Sequence, residues 1–163
     1  MLDYFNTLAR YNRWAHDKLL AACEKLPHAE YHQTRPAFFH SIHGTLNHIL
    51  VADRVWLGRI EGVDPGIRSL DQELYPDFST LRAARQAENE RIIRVVAGLT
   101  AERMAGRLTY TTQAGNPQQT PLSLVLGHLF NHATHHRGQV HDQLSQTPVP
   151  PPSMDLIYYL REA

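Results

Sequence analysis

The stretch from Pro121 to Leu144 constrains this chain more than any other, because its apolar stripe also carries histidines. Projected at 100° per residue, the predicted helix places His132 and His136 on the same narrow stripe as four aliphatic residues. These aliphatic residues are Leu122, Val125, Leu129 and Val140. Two imidazoles one turn apart therefore point where a core helix usually places leucines. Thr120 and Pro121 are predicted to start the helix, as its N-cap and first helical residue.

Imidazoles that converge inside a helical bundle are suited to holding a metal ion, since neutral histidine is a common nitrogen ligand. The alternative is a buried histidine pair whose ring nitrogens are satisfied by neighbouring groups. The chain contains 11 histidines in 163 residues, so some pair with this spacing is expected by chance. The spacing alone leaves both interpretations open.

Composition excludes several classes of function. Lys plus Arg and Asp plus Glu both number 16, so the formal net charge is zero, and neither nucleic acid nor an anionic membrane is an expected partner. No apolar run approaches the roughly 20 residues that span a bilayer. The first 16 residues lack the uninterrupted apolar core of a signal peptide. Cys23 is the only cysteine, so no internal disulfide can form, and we predict a cytoplasmic protein.

Hydrophobic periodicity predicts four long helices in a single all-α domain over residues 1–163. The predicted helices cover residues 2–26, 38–61, 80–99 and 121–144. A linker joins the first two helices, and a long connection, residues 62–76, joins the second and third. Alternating side chains between Arg107 and Gln119 predict an extended segment or weak hairpin before the fourth helix. Residues 154–161 are expected to form a short C-terminal helix.

The second predicted helix is apolar nearly all round, which indicates burial on two sides, and we attribute the second side to another subunit. Asp53 falls within its main apolar stripe, whereas His48 lies on the opposite side. Periodicity does not decide which side faces the bundle centre. Both residues therefore remain candidates for lining it.

Four segments in order resemble the DinB-like, or DNA-damage-inducible, superfamily of four-helix bundles. The segments are Tyr11–Ala15, Thr45–Leu50 followed by Asp53 and Trp56, His128–His132 continuing into His135–Gln139, and Pro151–Leu160. His16 departs from the pattern, because asparagine is common there. The resemblance covers nearly the whole chain, and the histidine-rich segment is its most specific part.

The resemblance implies a homodimeric bundle with one divalent metal ion held by His48, His132 and His136. Three protein ligands leave a coordination position open, as in catalytic sites. Zinc or nickel is the expected ion, and iron or manganese also suits a three-nitrogen site. Asp53 and His128 are the candidates for supporting a ligand or replacing one.

The resemblance also implies a reaction on a small-molecule substrate. The expected enzyme is a metal-dependent hydrolase or a transferase that adds a low-molecular-weight thiol, such as bacillithiol or mycothiol, to an electrophile. No HExxH motif is present, and no general base is assigned.

The alternative is a non-catalytic metal-binding stress-response protein in which the ion is structural. A fourth protein ligand, His128 or Asp53, would close the site and favour this alternative. DNA binding is suggested only by the family's name, and the zero net charge argues against it.

Overall fold

Four long helices form a bundle within residues 1–162, the part of the chain that the computed structural model describes. They are α1 (Leu2–Cys23), α3 (Ile42–Glu61), α4 (Phe78–Ala97) and α6 (Leu122–Ser145). The connections contain α2 (His28–His32), α5 (Ala101–Ala105), β1 (Arg107–Thr111), β2 (Pro117–Pro121) and, after α6, α7 (Leu156–Glu162). Both α1 and α3 pack against α4 and α6, which confirms the predicted helical bundle. No helix in residues 1–162 has the length and apolarity needed to cross a membrane.

The start of α3 differs from the prediction by four residues. The Ser41 hydroxyl accepts a hydrogen bond from the Gly44 amide at 3.0 Å and caps the helix, which begins at Ile42 rather than Phe38. Phe38 and Phe39 therefore belong to the preceding linker. Capping by a serine side chain outweighs the apolar character of the two phenylalanines.

The predicted hairpin is present, and it determines where α6 begins. Strand β1 pairs antiparallel with β2, and Arg107 lies opposite Pro121. The helix starts at Leu122, so Thr120 is a strand residue and not its N-cap, contrary to the prediction. Leu108 of the hairpin packs with the first buried residues of α6 and so fixes the start of the helix.

Helix α3 is buried on nearly all sides, as predicted, but its own chain provides the cover. The Asn47 side chain accepts hydrogen bonds from the Leu74 and Tyr75 amides at 2.9 and 3.1 Å. The Leu70 carbonyl accepts a hydrogen bond from His48 at 2.7 Å. The long connection between α3 and α4 thus covers the side that we attributed to a second subunit, so that argument for a dimer was wrong.

A buried polar layer crosses the bundle. The Asp53 carboxylate of α3 lies 2.6 Å from the Arg85 guanidinium of α4, and both side chains are almost fully buried. Arg137 of α6 donates a hydrogen bond to the side chain of Asn12 in α1, and both residues are also buried. The layer therefore contains a group from each long helix, and it joins the helices in two pairs.

We expect Asp53→Ala to lower the free energy of unfolding by about 3–5 kcal/mol, because it leaves the buried Arg85 charge without its partner. Arg13→Ala is the matched control. It breaks the exposed ion pair between α1 and α4, in which Arg13 lies 3.0 Å from Glu90. This change should lower the free energy of unfolding by less than about 1 kcal/mol. Urea unfolding measures both changes, and equal losses would contradict the predicted cost of burial.

Candidate metal centre

The predicted histidines meet where α3 packs against α6. The Nε2 atom of His132 lies 3.3 Å from Nε2 of His48 and 3.1 Å from Nε2 of His136. One ring nitrogen of each residue lies within 4.8 Å of the other two. His48 and His136 are buried, while His132 is partly exposed. We call these three residues the histidine triad.

The spacing of the triad fits a metal ion. Zinc binds histidine nitrogen at 2.0–2.1 Å, and tetrahedral angles then place neighbouring nitrogens about 3.3 Å apart. The two Nε2 separations that involve His132, 3.1 and 3.3 Å, are close to that value. Neutral His132 can supply at most one hydrogen for these two contacts, so a cation at the centre would replace the repulsion at the remaining contact with favourable interactions. The triad therefore has the donor atoms and the spacing to hold a divalent ion.

Hydrogen bonds hold the second ring nitrogen of His48 and of His136. Nδ1 of His48 donates to the Leu70 carbonyl at 2.7 Å, and Nδ1 of His136 donates to the Gln139 side-chain oxygen at 2.7 Å. In the neutral rings, a proton on Nδ1 leaves Nε2 as a bare acceptor. Hydrogen bonds of this kind commonly orient histidine ligands in metalloproteins.

The triad is neutral near pH 7. Burial, with smaller contributions from the neighbouring imidazoles, lowers the pKa of His132 to about 3. Burial also lowers the pKa of His136 to about 4 and lowers the pKa of His48. Protons therefore do not compete for the ligand nitrogens at neutral pH.

The linker before α3 covers one side of the triad. The Phe39 ring stacks on His48, with centroids 3.8 Å apart and planes 17° from parallel, and its centroid lies 5.6 Å from that of His136. The next residue, His40, has a φ of 63°, a conformation that is uncommon for residues other than glycine. Phe39 thus covers His48 and part of His136, whereas His132 stays partly exposed and its neighbour His128 is exposed.

The two alternative ligands lie outside the triad. Asp53 is paired with Arg85 and makes no hydrogen bond to a triad imidazole in residues 1–162. The His128 ring is exposed, and its centroid lies 5.6 Å from that of His132, next to the site but not among the converging nitrogens. Neither residue provides a fourth ligand in the described part of the chain.

Several groups at the site were not identified from the sequence. The contact from Leu70 uses its backbone carbonyl, which no side-chain pattern in the sequence indicates. Phe39 was missed because it was predicted to lie within a helix. Asp71 follows Leu70 and is exposed, and its charge acts on His48. Gln139 follows His136 by three residues, a spacing at which two side chains of one helix meet, and it accepts the hydrogen bond from His136.

Comparisons with known proteins agree with the fold and with the family that the sequence resembles. The family model described as the DinB family matches residues 1–163. "Protein DinB" of Bacillus subtilis (strain 168) is 25% identical over 150 residues, which cover 90% of this chain and 87% of that protein. A crystal structure of a DinB-like protein from Bacillus cereus ATCC 10987 superposes with a TM-score of 0.67 at 20% identity, covering 88% of this chain and 91% of the other, and shows a shared fold. Because the family match spans all 163 residues, the chain belongs to the DinB family.

Proposed function

We propose that the histidine triad binds one divalent metal ion and that the protein is a metal-dependent transferase of a low-molecular-weight thiol. The observation that carries the proposal is the position of the His132 Nε2 atom, which lies 3.3 and 3.1 Å from Nε2 of His48 and His136, about the separation that tetrahedral zinc requires, while ligand atoms of all three residues lie within 4.8 Å of one another. Zinc or nickel suits three neutral imidazoles best, while iron and manganese remain compatible with them.

Three ligands from the described residues leave room for a fourth group on the ion, as in catalytic zinc sites. When bound, the ion acts as a Lewis acid that lowers the pKa of a coordinated water or thiol. Phe39 and the connection at Leu70 cover the side of His48 and exclude water there. A small molecule would approach from the side of His128.

The surroundings of the triad favour a thiol over water as the nucleophile. Hydrolysis normally requires a positioned general base, in addition to the ion. Asp71, the carboxylate whose charge acts on His48, is exposed, and Nδ1 of His48 donates to the Leu70 carbonyl rather than to Asp71. A thiol that loses its proton on coordination needs no such base. A hydrolase that uses Asp71 is the competing reaction.

The metal proposal is tested by cobalt(II) loading of the chelated protein. We expect the wild type to bind one equivalent, and we expect His48→Ala, His132→Ala and His136→Ala each to bind more than about 100-fold more weakly, a larger loss than removal of a supporting group causes. His135→Ala is the matched control, because its imidazole is exposed and outside the triad. Elemental analysis and the visible spectrum of cobalt measure the binding.

Addition of a small thiol to the cobalt-loaded protein distinguishes an open site from a closed one. Coordination of the thiol produces a new absorption band, and we expect this band in the wild type. Cobalt binding without any response to thiols would indicate a structural ion. Equal cobalt content in the wild type and the triad variants would contradict the proposed centre.

We also predict that the metal-free protein becomes less stable as the pH falls from 6.5 to 5. The unfolded chain binds protons at histidine near pH 6.5, whereas folded His132 and His136 stay neutral until about pH 3–4, so acid favours unfolding. The loss is at most about 1.4 kcal/mol per pH unit for each imidazole. Urea unfolding in a chelator should give a shallower slope for the double variant His132→Gln/His136→Gln, and parallel slopes would refute the assignment.

We also propose a homodimer. Its contact surface lies on α1 and α6 and not on α3. Tyr4 of α1 and Leu124 of α6 are 59% and 64% exposed, and they border a cavity of about 500 Å³ between the two helices. Phe5 and Phe130 line the same cavity. Symmetry would allow the apolar side chains of each copy to enter the cavity of the other.

Light scattering during size-exclusion chromatography is expected to show a dimer at micromolar concentration. Leu124→Glu should convert it to a monomer, because the substitution places a charge in the apolar contact. Leu160→Glu on α7, where the side chain is 50% exposed, should leave the dimer unchanged. A monomeric wild type would contradict this surface as a dimer contact.

A further inference from the structure

A continuous row of rings leads from the histidine triad along the junction of α3 and α6. The His128 centroid lies 5.6 Å from that of His132 and 5.1 Å from that of Trp56. The Trp56 centroid in turn lies 5.2 Å from that of Tyr110 in the hairpin. The row thus connects His132, the partly exposed residue of the triad, with the hairpin.

A guanidinium lies at the far end of this row. The central carbon of Arg59 is 4.5 Å from the Trp56 centroid and 4.9 Å from the Tyr110 centroid. Arg59 follows His48 by 11 residues, about three helical turns, so both residues lie on one face of α3 about 16 Å apart along its axis. The segment from Gly62 to Leu70 begins near Arg59 and ends at His48.

The charge of Arg59 has no acidic partner within residues 1–162. Its Nη2 atom donates to the Thr111 carbonyl at 3.1 Å, which uses one of five N–H groups. The arginines Arg54, Arg85 and Arg91 on α3 and α4 each pair with a carboxylate. Burial lowers the pKa of Arg59, so its cation is only partly solvated.

The space beside Arg59 is large enough for a ligand group. A cavity of about 410 Å³ is lined by Arg59, Tyr110 and the segment that follows α3. Asp64 also lines this cavity, but its carboxylate accepts a hydrogen bond from the Gly66 amide at 2.9 Å. Arg59 uses one N–H group for the hydrogen bond to the Thr111 carbonyl of the hairpin. Its remaining N–H groups are available to a ligand.

We infer that Arg59 binds a carboxylate or phosphate group of the substrate, whose other end reaches the histidine triad past His128 and Trp56. This inference rests on the proposed function, because it treats the triad as the reacting end of the site. Arginine suits this role, since its planar fork donates two parallel hydrogen bonds to either anion. The rings of the row would contact the less polar middle of such a molecule.

The test uses three thiols of equal chain length on the cobalt-loaded protein: mercaptohexanoate, mercaptohexyl phosphate and mercaptohexanol. The absorption change on thiol coordination gives each dissociation constant. We expect at least one anionic thiol to bind about tenfold more tightly than the alcohol, because a hydrogen bond to a charged group is worth at least that factor. The anionic thiol that binds more tightly shows whether the substrate group is a carboxylate or a phosphate.

Arg59→Gln should abolish the preference for the anion without changing the affinity for mercaptohexanol, which also reports that the site remains folded. Arg59→Lys should retain part of the preference, because it keeps the charge but not the fork. Arg10→Gln, at an exposed position on α1, is the matched control and should behave as the wild type. Cobalt-loaded protein that binds all three thiols equally would overturn the inference while leaving the metal centre intact.

A second readout does not depend on the metal. The NMR signal of the Arg59 Nε–H group in the metal-free protein should shift and saturate on titration with the preferred anionic thiol, and it should stay unchanged with mercaptohexanol. An unchanged Arg59 signal would overturn the inference. Failure of cobalt or thiol coordination would be seen separately and would count against the proposed function.

Discussion

The two buried polar contacts between helices, Asp53 with Arg85 and Arg137 with Asn12, determine where the histidines lie. Asp53 lies five residues after His48 on α3 and is paired with Arg85 of α4, while Arg137 directly follows His136 on α6 and is bound to Asn12 of α1. Apolar packing is non-directional and tolerates sliding of one helix along another. A buried charge does not, because separation from its partner leaves it desolvated and unpaired. Each helix that carries a triad residue is thereby fixed in register against a neighbouring helix.

This arrangement explains how the triad keeps its geometry without an ion. The Nε2 atoms of His48 and His136 are acceptors, and His132 can supply at most one hydrogen for its two Nε2 contacts, so at least one contact has an electrostatic cost. Burial makes protonation of His132 unfavourable, as its low pKa shows. The packing of the four helices and the hydrogen bonds to Leu70 and Gln139 keep the rings in place despite this cost. A site held in this way before binding loses little conformational entropy when a ligand arrives.

The sequence predicted the four helices, the hairpin and the pairing of His132 with His136, because each depends on a local period or turn. His48 was different. Helix α3 is apolar on all sides, so periodicity gave no inward face, and only the motif resemblance selected that residue over Asp53. Phe39 and Leu70 were beyond prediction, since their places depend on the path of two irregular connections and on a serine cap that shortens α3.

The connections before and after α3 both contact the triad. Both meet at His48: the linker before α3 stacks Phe39 on one face of the ring, and the segment after α3 supplies the Leu70 carbonyl to Nδ1. An ion on Nε2 would make the Nδ1–H a stronger donor, because coordination draws electron density from the ring. The hydrogen bond to Leu70 would then strengthen, and the segment that runs from Leu70 back to Gly62, beside Arg59, would be held more firmly. Metal binding at the triad would in this way be coupled to the order of the proposed anion site.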